Sequence, residues 1–307
     1  MAEPVVRWYW QETGWQQQPP VPDRGAEFGD GLFETIRLNR DLQAPLLALH
    51  WQRLLRGLVQ LDFPIDTFQR CQQAWHDLMD LSALQQLAEQ PAYADGVQLK
   101  LLISRCANDL AGSNIARGYA KQPQQPANFT VLLRPAPVWL SPEQPVTAGI
   151  NPVRLASQPL LAGIKHLNRL EQVLARAQFQ PGWQESLMLS SDGDVVEGCM
   201  SNLYLLEDQT LVTPLLEVAG VNGVVRRWLF NEAAALGVRV TEGQIDLPRL
   251  YRADGLLFSN TLNGFSVCGQ LDQHTFSGPG QVATQLLCQR LQHRLQSVFV
   301  NASGNIA

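Results

Sequence analysis

A primary amine and a carboxylate dominate the chemistry this chain can offer. Lys165 lies in Leu160-Leu161-Ala162-Gly163-Ile164-Lys165-His166-Leu167-Asn168-Arg169-Leu170, and 32 residues downstream (197 minus 165) Glu197 opens Glu197-Gly198-Cys199-Met200-Ser201-Asn202-Leu203. A neutral lysine condenses with an aldehyde to give a Schiff base, and a carboxylate held against a pyridine nitrogen keeps that ring cationic and able to accept electrons. Each also has an ordinary reading: a lysine at a helix start is a solvated charge, and a glutamate at a strand end is a surface carboxylate. The apolar neighbours Leu160, Leu161 and Ile164 favour burial of Lys165.

A second group of residues suits an anion. Asn222-Gly223-Val224-Val225-Arg226 stands just before a helical run, where free N–H groups and the helix dipole favour a phosphate, although Asn222 capping the helix with nothing bound is the plainer alternative. Thr261, in Phe258-Ser259-Asn260-Thr261-Leu262, follows a predicted strand and can donate a hydroxyl. Arg53, in His50-Trp51-Gln52-Arg53-Leu54, can give a charge-assisted bond from a helix. Other chemistries find less support. The five histidines show no HxxxH or HExxH spacing, so no metal is expected, and there is no GxxxxGK[ST] phosphate loop. The five cysteines form no CxxC pair and read as reduced cytoplasmic thiols. A net charge of −5 without a basic run argues against nucleic acid. No apolar run approaches the roughly 18 residues of a membrane span, and the N-terminus lacks the pattern of a secretory signal.

The elements that must position these groups read as α+β. Leu32–Leu38 alternates like a half-buried strand, helices are expected over Leu46–Leu61 and from Ile65 to about Leu87, and Val97–Ile103 and Phe129–Leu133 are further strands. The polar segment 108–125 is a long loop, and Trp15–Pro20 is unlike a regular strand. The proline-rich stretch from Pro135 to Pro145 marks a domain boundary, giving an N-terminal domain over 1–136, a linker over 137–145 and a C-terminal domain over 146–307. Beyond it, a helix is expected over His166–Phe179 with Leu167, Leu170, Val173, Leu174 and Ala177 on one face. A hairpin turns at Asp192-Gly193-Asp194, further strands cover 203–206, 211–213, 238–241, 255–258 and 265–268, and helices run over 224–236 and from about 281 to 299.

Taken in order, Gly29-Asp30-Gly31-Leu32-Phe33-Glu34-Thr35, His50-Trp51-Gln52-Arg53-Leu54, Lys165, the Glu197–Leu203 run, Gly223-Val224-Val225-Arg226 and Asn260-Thr261 resemble the fold-type IV pyridoxal-phosphate family, which includes branched-chain and D-amino acid aminotransferases. Within it, Leu161–Leu174 resembles the 4-amino-4-deoxychorismate lyases. The resemblance runs from about Phe28 to Val267. It implies an N-terminal α/β sandwich-like domain and a C-terminal pseudo-barrel domain with flanking helices that binds pyridoxal 5'-phosphate. It makes Lys165 the Schiff-base lysine and proton-transfer base and Glu197 the partner of the pyridine nitrogen. Arg53, the backbone of Val224 and Val225, and Thr261 become the phosphate cup, with Asn260 beside it, while Arg117 and Phe33 face the substrate. The lysine must be neutral to attack, and burial beside cations favours that form. The implied reaction turns the small molecule 4-amino-4-deoxychorismate into 4-aminobenzoate and pyruvate in a cytoplasmic homodimer. Transamination of branched-chain or D-amino acids is the alternative. The loop Arg105–Ala116 departs from the family pattern in being longer and poorer in glycine before Arg117-Gly118-Tyr119.

Overall fold

The computed structural model describes residues 6–11, 14–16, 23–106, 119–121 and 124–301. The chain divides into two compact units, Met1–Pro137 with Ile164–Asn168, and Val138–Gly163 with Arg169–Ala307.

The first unit is built on a five-stranded antiparallel sheet. Its strands are β1 (Val6–Gln11), β2 (Gly14–Gln16), β3 (Gly31–Leu38), β4 (Val97–Arg105) and β5 (Ala127–Pro135), in the order β2-β1-β5-β4-β3. Period-two alternation sorts the side chains. Leu32, Ile36, Leu99, Leu101, Ile103, Phe129, Val131 and Leu133 are buried. They share the face covered by helices, of which α2 (Leu47–Gln60) packs on β3 and α3 (Thr67–Met79) on β5. Phe33, Thr35, Lys100, Leu102, Leu132 and Arg134 occupy the opposite, half-buried face. Two short helices, α1 (Arg24–Phe28) and α4 (Ser82–Ala88), complete the unit.

One edge of this sheet is β3, and Ile164–Asn168 covers it. The Phe33 N–H donates to the Lys165 carbonyl (2.8 Å), the Leu167 N–H donates to the Gly31 carbonyl (2.9 Å), and Leu32 and His166 form an antiparallel bridge. An exposed strand edge leaves backbone groups unpaired, and this segment satisfies them while carrying Lys165 into register with Phe33.

In the second unit the strands are β6 (Val146–Leu155), β7 (Glu185–Ser190), β8 (Val195–Gly198), β9 (Asn202–Glu207), β10 (Thr210–Pro214), β11 (Arg239–Gly243), β12 (Gly255–Asn260), β13 (Gly264–Leu271) and β14 (His274–Thr275). The order is β11-β10-β9-β12-β13-β6-β7-β8, with β14 paired to β13. The β10–β11, β13–β6 and β6–β7 pairs are parallel. Although β8 ends this order, it lies beside β9 and β10, so the sheet curls back on itself as a pseudo-barrel. Leu187, Leu189, Val195, Leu203, Leu205, Val212, Leu256, Phe258 and Cys268 share its core. Helices α5 (Leu170–Ala177), α6 (Val224–Glu232), α7 (Leu247–Arg252) and α8 (Gly278–Asn301) flank it, α8 against β13 and β12. The α+β fold class and the curled C-terminal sheet are as expected.

Five expectations change. The helix expected over His166–Phe179 begins only at Leu170, because residues 164–168 are taken by pairing with β3. Its apolar stripe does not face the core: Leu170, Val173 and Leu174 are 69 %, 62 % and 51 % exposed, and Ala175 is the buried residue. The stretch from Ile65 to Leu87 is broken at Asp80–Leu81 into α3 and α4. Gly14–Gln16 is a strand, with the Trp15 indole N–H donating to the Ala74 carbonyl (3.0 Å). Lys165, expected with the C-terminal half, groups with the first unit through its backbone pairing.

Candidate functional site

In the first unit the strand-edge pairing sets Lys165 over an aromatic platform. Its Nζ stands 4.4 Å from the centroid of the Phe33 ring, and the Nζ of Lys100 stands 4.6 Å from the same centroid. Lys100 lies on β4, in register opposite Thr35. Burial and the like charge of Arg134 push its amine below the ordinary lysine range. Two amines therefore stand within cation–π distance of one aromatic ring, whose quadrupole favours the positive charge.

On the helix-covered face of the same strand, Glu34 is buried and organises two residues of α2. Arg53 donates to it from Nε (2.9 Å) and through a second, very short bond from Nη2, and His50 Nδ1 lies 2.7 Å from its other oxygen. Burial by itself would raise the Glu34 pKa. The Arg53 charge and the His50 bond outweigh it and bring the carboxyl from 4.5 to about 2. His50, also buried, is held below the usual histidine value by desolvation in spite of its bond to Glu34. A buried guanidinium gripped on one side by a carboxylate has its plane fixed, which is what directional recognition of a phosphate requires.

In the second unit Glu197, on β8, is buried, and its Oε2 accepts from the Val221 N–H (2.8 Å). Asn202 donates from Nδ2 to the Val221 carbonyl (2.8 Å). The loop before α6 is held further by a parallel bridge of Val221 to Gly163 and by the Gly163 N–H donating to the Gly220 carbonyl (2.9 Å). Gly223 is the N-cap of α6, and no side chain caps the helix. Asn222 does not act as the cap: its Oδ1 accepts from the Arg226 guanidinium (3.0 Å). A Cβ on Gly223 would collide with the Asn202 Oδ1, so only glycine lets the chain pass there. The first-turn N–H groups of Val224 and Val225 thus lie at a buried helix start whose N-cap residue offers them no side chain, a favourable place for an anion.

Thr261 is half-buried in the β12–β13 turn. Asn260 shapes that turn, its Oδ1 accepting from the N–H groups of Leu262 (3.0 Å) and Asn263 (2.8 Å). A cavity of about 240 Å³ in this unit is lined by residues including Glu185, Met200, Ser201, Ser259 and Asn260, but not by Glu197, Val224, Val225 or Thr261.

Of the residues singled out from sequence, Lys165 and Phe33 come together in one unit, with Arg53 on the other face of the same strand system. Glu197, Val224, Val225, Asn260 and Thr261 belong to the other unit. Arg117 lies outside the described residues. Sequence reasoning missed Glu34, His50, Lys100, Asn202 and Val221. A lysine at an alternating position inside the apolar strand Val97–Ile103 was a readable signal for Lys100. Nothing local marked Val221, which acts through its backbone.

Each unit by itself holds groups whose chemistry fits a pyridine aldehyde phosphate: in the first an amine over an aromatic ring and a fixed guanidinium, in the second a buried carboxylate locked by a backbone N–H and a helix start suited to an anion. Comparison with known proteins agrees. The amino-transferase class IV family matches residues 31–268, and the chain belongs to that family. Among its relatives it is 30% identical to the aminodeoxychorismate lyase of Vibrio harveyi, over 83% of this chain and 88% of that protein. Among solved structures it is similar to the 4-amino-4-deoxychorismate lyase of Pseudomonas aeruginosa, with a TM-score of 0.76, 34% identity, and 95% and 98% of the two chains covered. The branched-chain amino acid aminotransferase of Escherichia coli shares the fold, with a TM-score of 0.72 and 21% identity over 95% and 94% of the chains.

Proposed function

We propose that this chain is a pyridoxal 5'-phosphate enzyme that converts 4-amino-4-deoxychorismate into 4-aminobenzoate and pyruvate. The observation that carries the reading is the Phe33 ring with the amines of Lys165 and Lys100 both over it: one amine that would hold the cofactor and move the proton, the other for a substrate carboxylate. The similarity to two lyases, at 30% and 34% identity over most of each chain, supports it.

When bound, the cofactor supplies an electron sink for the carbon that bears the substrate amine. Lys165 Nζ removes the proton from that carbon. Glu197 keeps the ring nitrogen protonated, and the Val221 N–H holds the carboxylate oriented. Arg53, the N–H groups of Val224 and Val225, and the Thr261 hydroxyl hold the phosphate, with Asn260 shaping the turn that presents Thr261. Lys100 pairs with one of the substrate's two carboxylates, Arg117 is proposed for the other, and Phe33 supports the ring. Aromatisation of the product drives expulsion of the enolpyruvyl group as pyruvate.

Purified protein supplied with the cofactor and 4-amino-4-deoxychorismate is expected to release pyruvate and 4-aminobenzoate in equal amounts without a 2-keto acid. A strict requirement for a keto-acid acceptor would instead make it an aminotransferase.

We further propose a cytoplasmic homodimer. All five cysteines are unpaired and buried, in keeping with a reducing compartment. Among the described residues no helix is long and apolar enough to cross a membrane. The exposed stripe of Leu170, Val173 and Leu174 on α5 is a surface that a second copy would cover.

A further inference from the structure

Glu185, on β7, is a carboxylate only 6 % exposed whose described hydrogen-bond partners are all neutral. Its Oε1 accepts from the Ser186 N–H (2.9 Å) and its Oε2 from the Ser201 hydroxyl (2.7 Å). Burial raises its pKa, while Ser201 and the amides of Ser186, Met200 and Cys199 favour the charged form. A buried acid without a cation is costly to keep, so its placement calls for a task.

What Glu185 touches is the turn between two residues of the site. Gly198–Ser201 folds over its carboxyl group, closed by the Gly198 N–H donating to the Ser201 carbonyl (2.8 Å) and the Cys199 N–H donating to the Ser186 carbonyl (2.8 Å). The packing is tight: a Cβ on Gly198 would stand 2.9 Å from the Glu185 carboxyl carbon. On either side of the turn are Glu197 and Asn202, and both fasten on Val221, one at its N–H and the other at its carbonyl.

We infer that Glu185 is a positioning residue for Glu197: by holding the Gly198–Ser201 turn it keeps the Glu197 carboxylate and the Val221 N–H locked together. Its effect on the reaction rests on the reading of Glu197 given above; its effect on Val221 does not. In Glu185→Gln an amide NH2 replaces one acceptor and faces a donor, and in Ser201→Ala one bond is lost.

The test has two arms. In the cofactor-free protein, the Val221 amide should exchange its hydrogen at least about tenfold faster in Glu185→Gln, and by a smaller factor in Ser201→Ala, than in the unaltered chain. In the cofactor-loaded protein, Glu185→Gln should alter the visible-edge absorption band and lower kcat with little change in KM. If Glu185→Gln does not fold, Ser201→Ala carries both arms. Unchanged Val221 exchange in the folded variants overturns the proposal, as does lost thermal stability with exchange and spectrum both unaltered. Failure of the functional reading looks different: the unaltered protein then shows no visible-edge band with the cofactor, and Val221 exchange still decides the role of Glu185.

Discussion

At the scale of single residues, Lys165, Lys100 and Phe33 separate three roles that kinetics can distinguish. Lys165→Ala should abolish both turnover and the visible-edge band of the loaded protein, since Lys165 is the amine proposed to hold the cofactor aldehyde, and Lys100, over the same ring, is proposed for a substrate carboxylate. Lys100→Ala should keep the band and raise KM by roughly 10- to 100-fold, the loss of one charge-assisted bond of about 1.5–3 kcal/mol. A KM unchanged in Lys100→Ala would remove it from the substrate contacts. Glu34 and His50 make a pH prediction. Glu34 has a folded-state pKa of about 2 against an ordinary 4.5, so its stabilisation is complete above 4.5 and is lost as pH falls toward 2. The amount is on the order of 3 kcal/mol. His50, held low by burial, acts in the same direction, because below the ordinary histidine range the unfolded chain binds a proton that the folded chain resists. Urea midpoints measured from pH 7 down to pH 3 should therefore fall steeply, and Glu34→Gln should flatten the part of the curve below 4.5.

At the scale of elements, the strand edge and the helix start do the positioning. Ile164–Asn168 is held in extended form by backbone bonds to Gly31 and Phe33, which is why the apolar spacing around Leu167 did not become helix. Tertiary pairing overrode local periodicity there. The start of α6 depends on close passage of Gly223 past Asn202, so Gly223→Ala should displace the loop. The expected result is cofactor affinity weakened by about tenfold or more, read by titrating the visible-edge band, with most of the folding stability retained. Equal affinity in the folded variant would show that the α6 N-terminus does not hold the phosphate.

At the scale of the whole molecule, α5 places Leu170, Val173 and Leu174 on the surface of the second unit while its one fully buried residue is the small Ala175. A stripe at i, i+3 and i+4 normally faces a core, and its exposure in a single chain is what the proposed homodimer would cover. Light scattering should give twice the chain mass, and Val173→Glu combined with Leu174→Glu should shift the protein toward monomer. A double variant that stays dimeric would place the subunit contact elsewhere.

The residues proposed for the chemistry were nominated from residue type and order along the chain. Lys165, Glu197, Arg53, the Gly223–Val225 helix start and the Asn260-Thr261 turn are all local patterns, and the alternating and helical periods located most strands and helices around them. What stayed hidden depends on atoms that sequence spacing does not bring together. The grip of Glu34 on Arg53 joins a strand to a helix, and the second amine over Phe33 comes from a neighbouring strand. The lock on Glu197 is a backbone N–H, a group every non-proline residue carries and no side-chain pattern can mark. Only the tertiary structure chose among these, because pairing across strands is decided by register and burial rather than by the identity of any one residue.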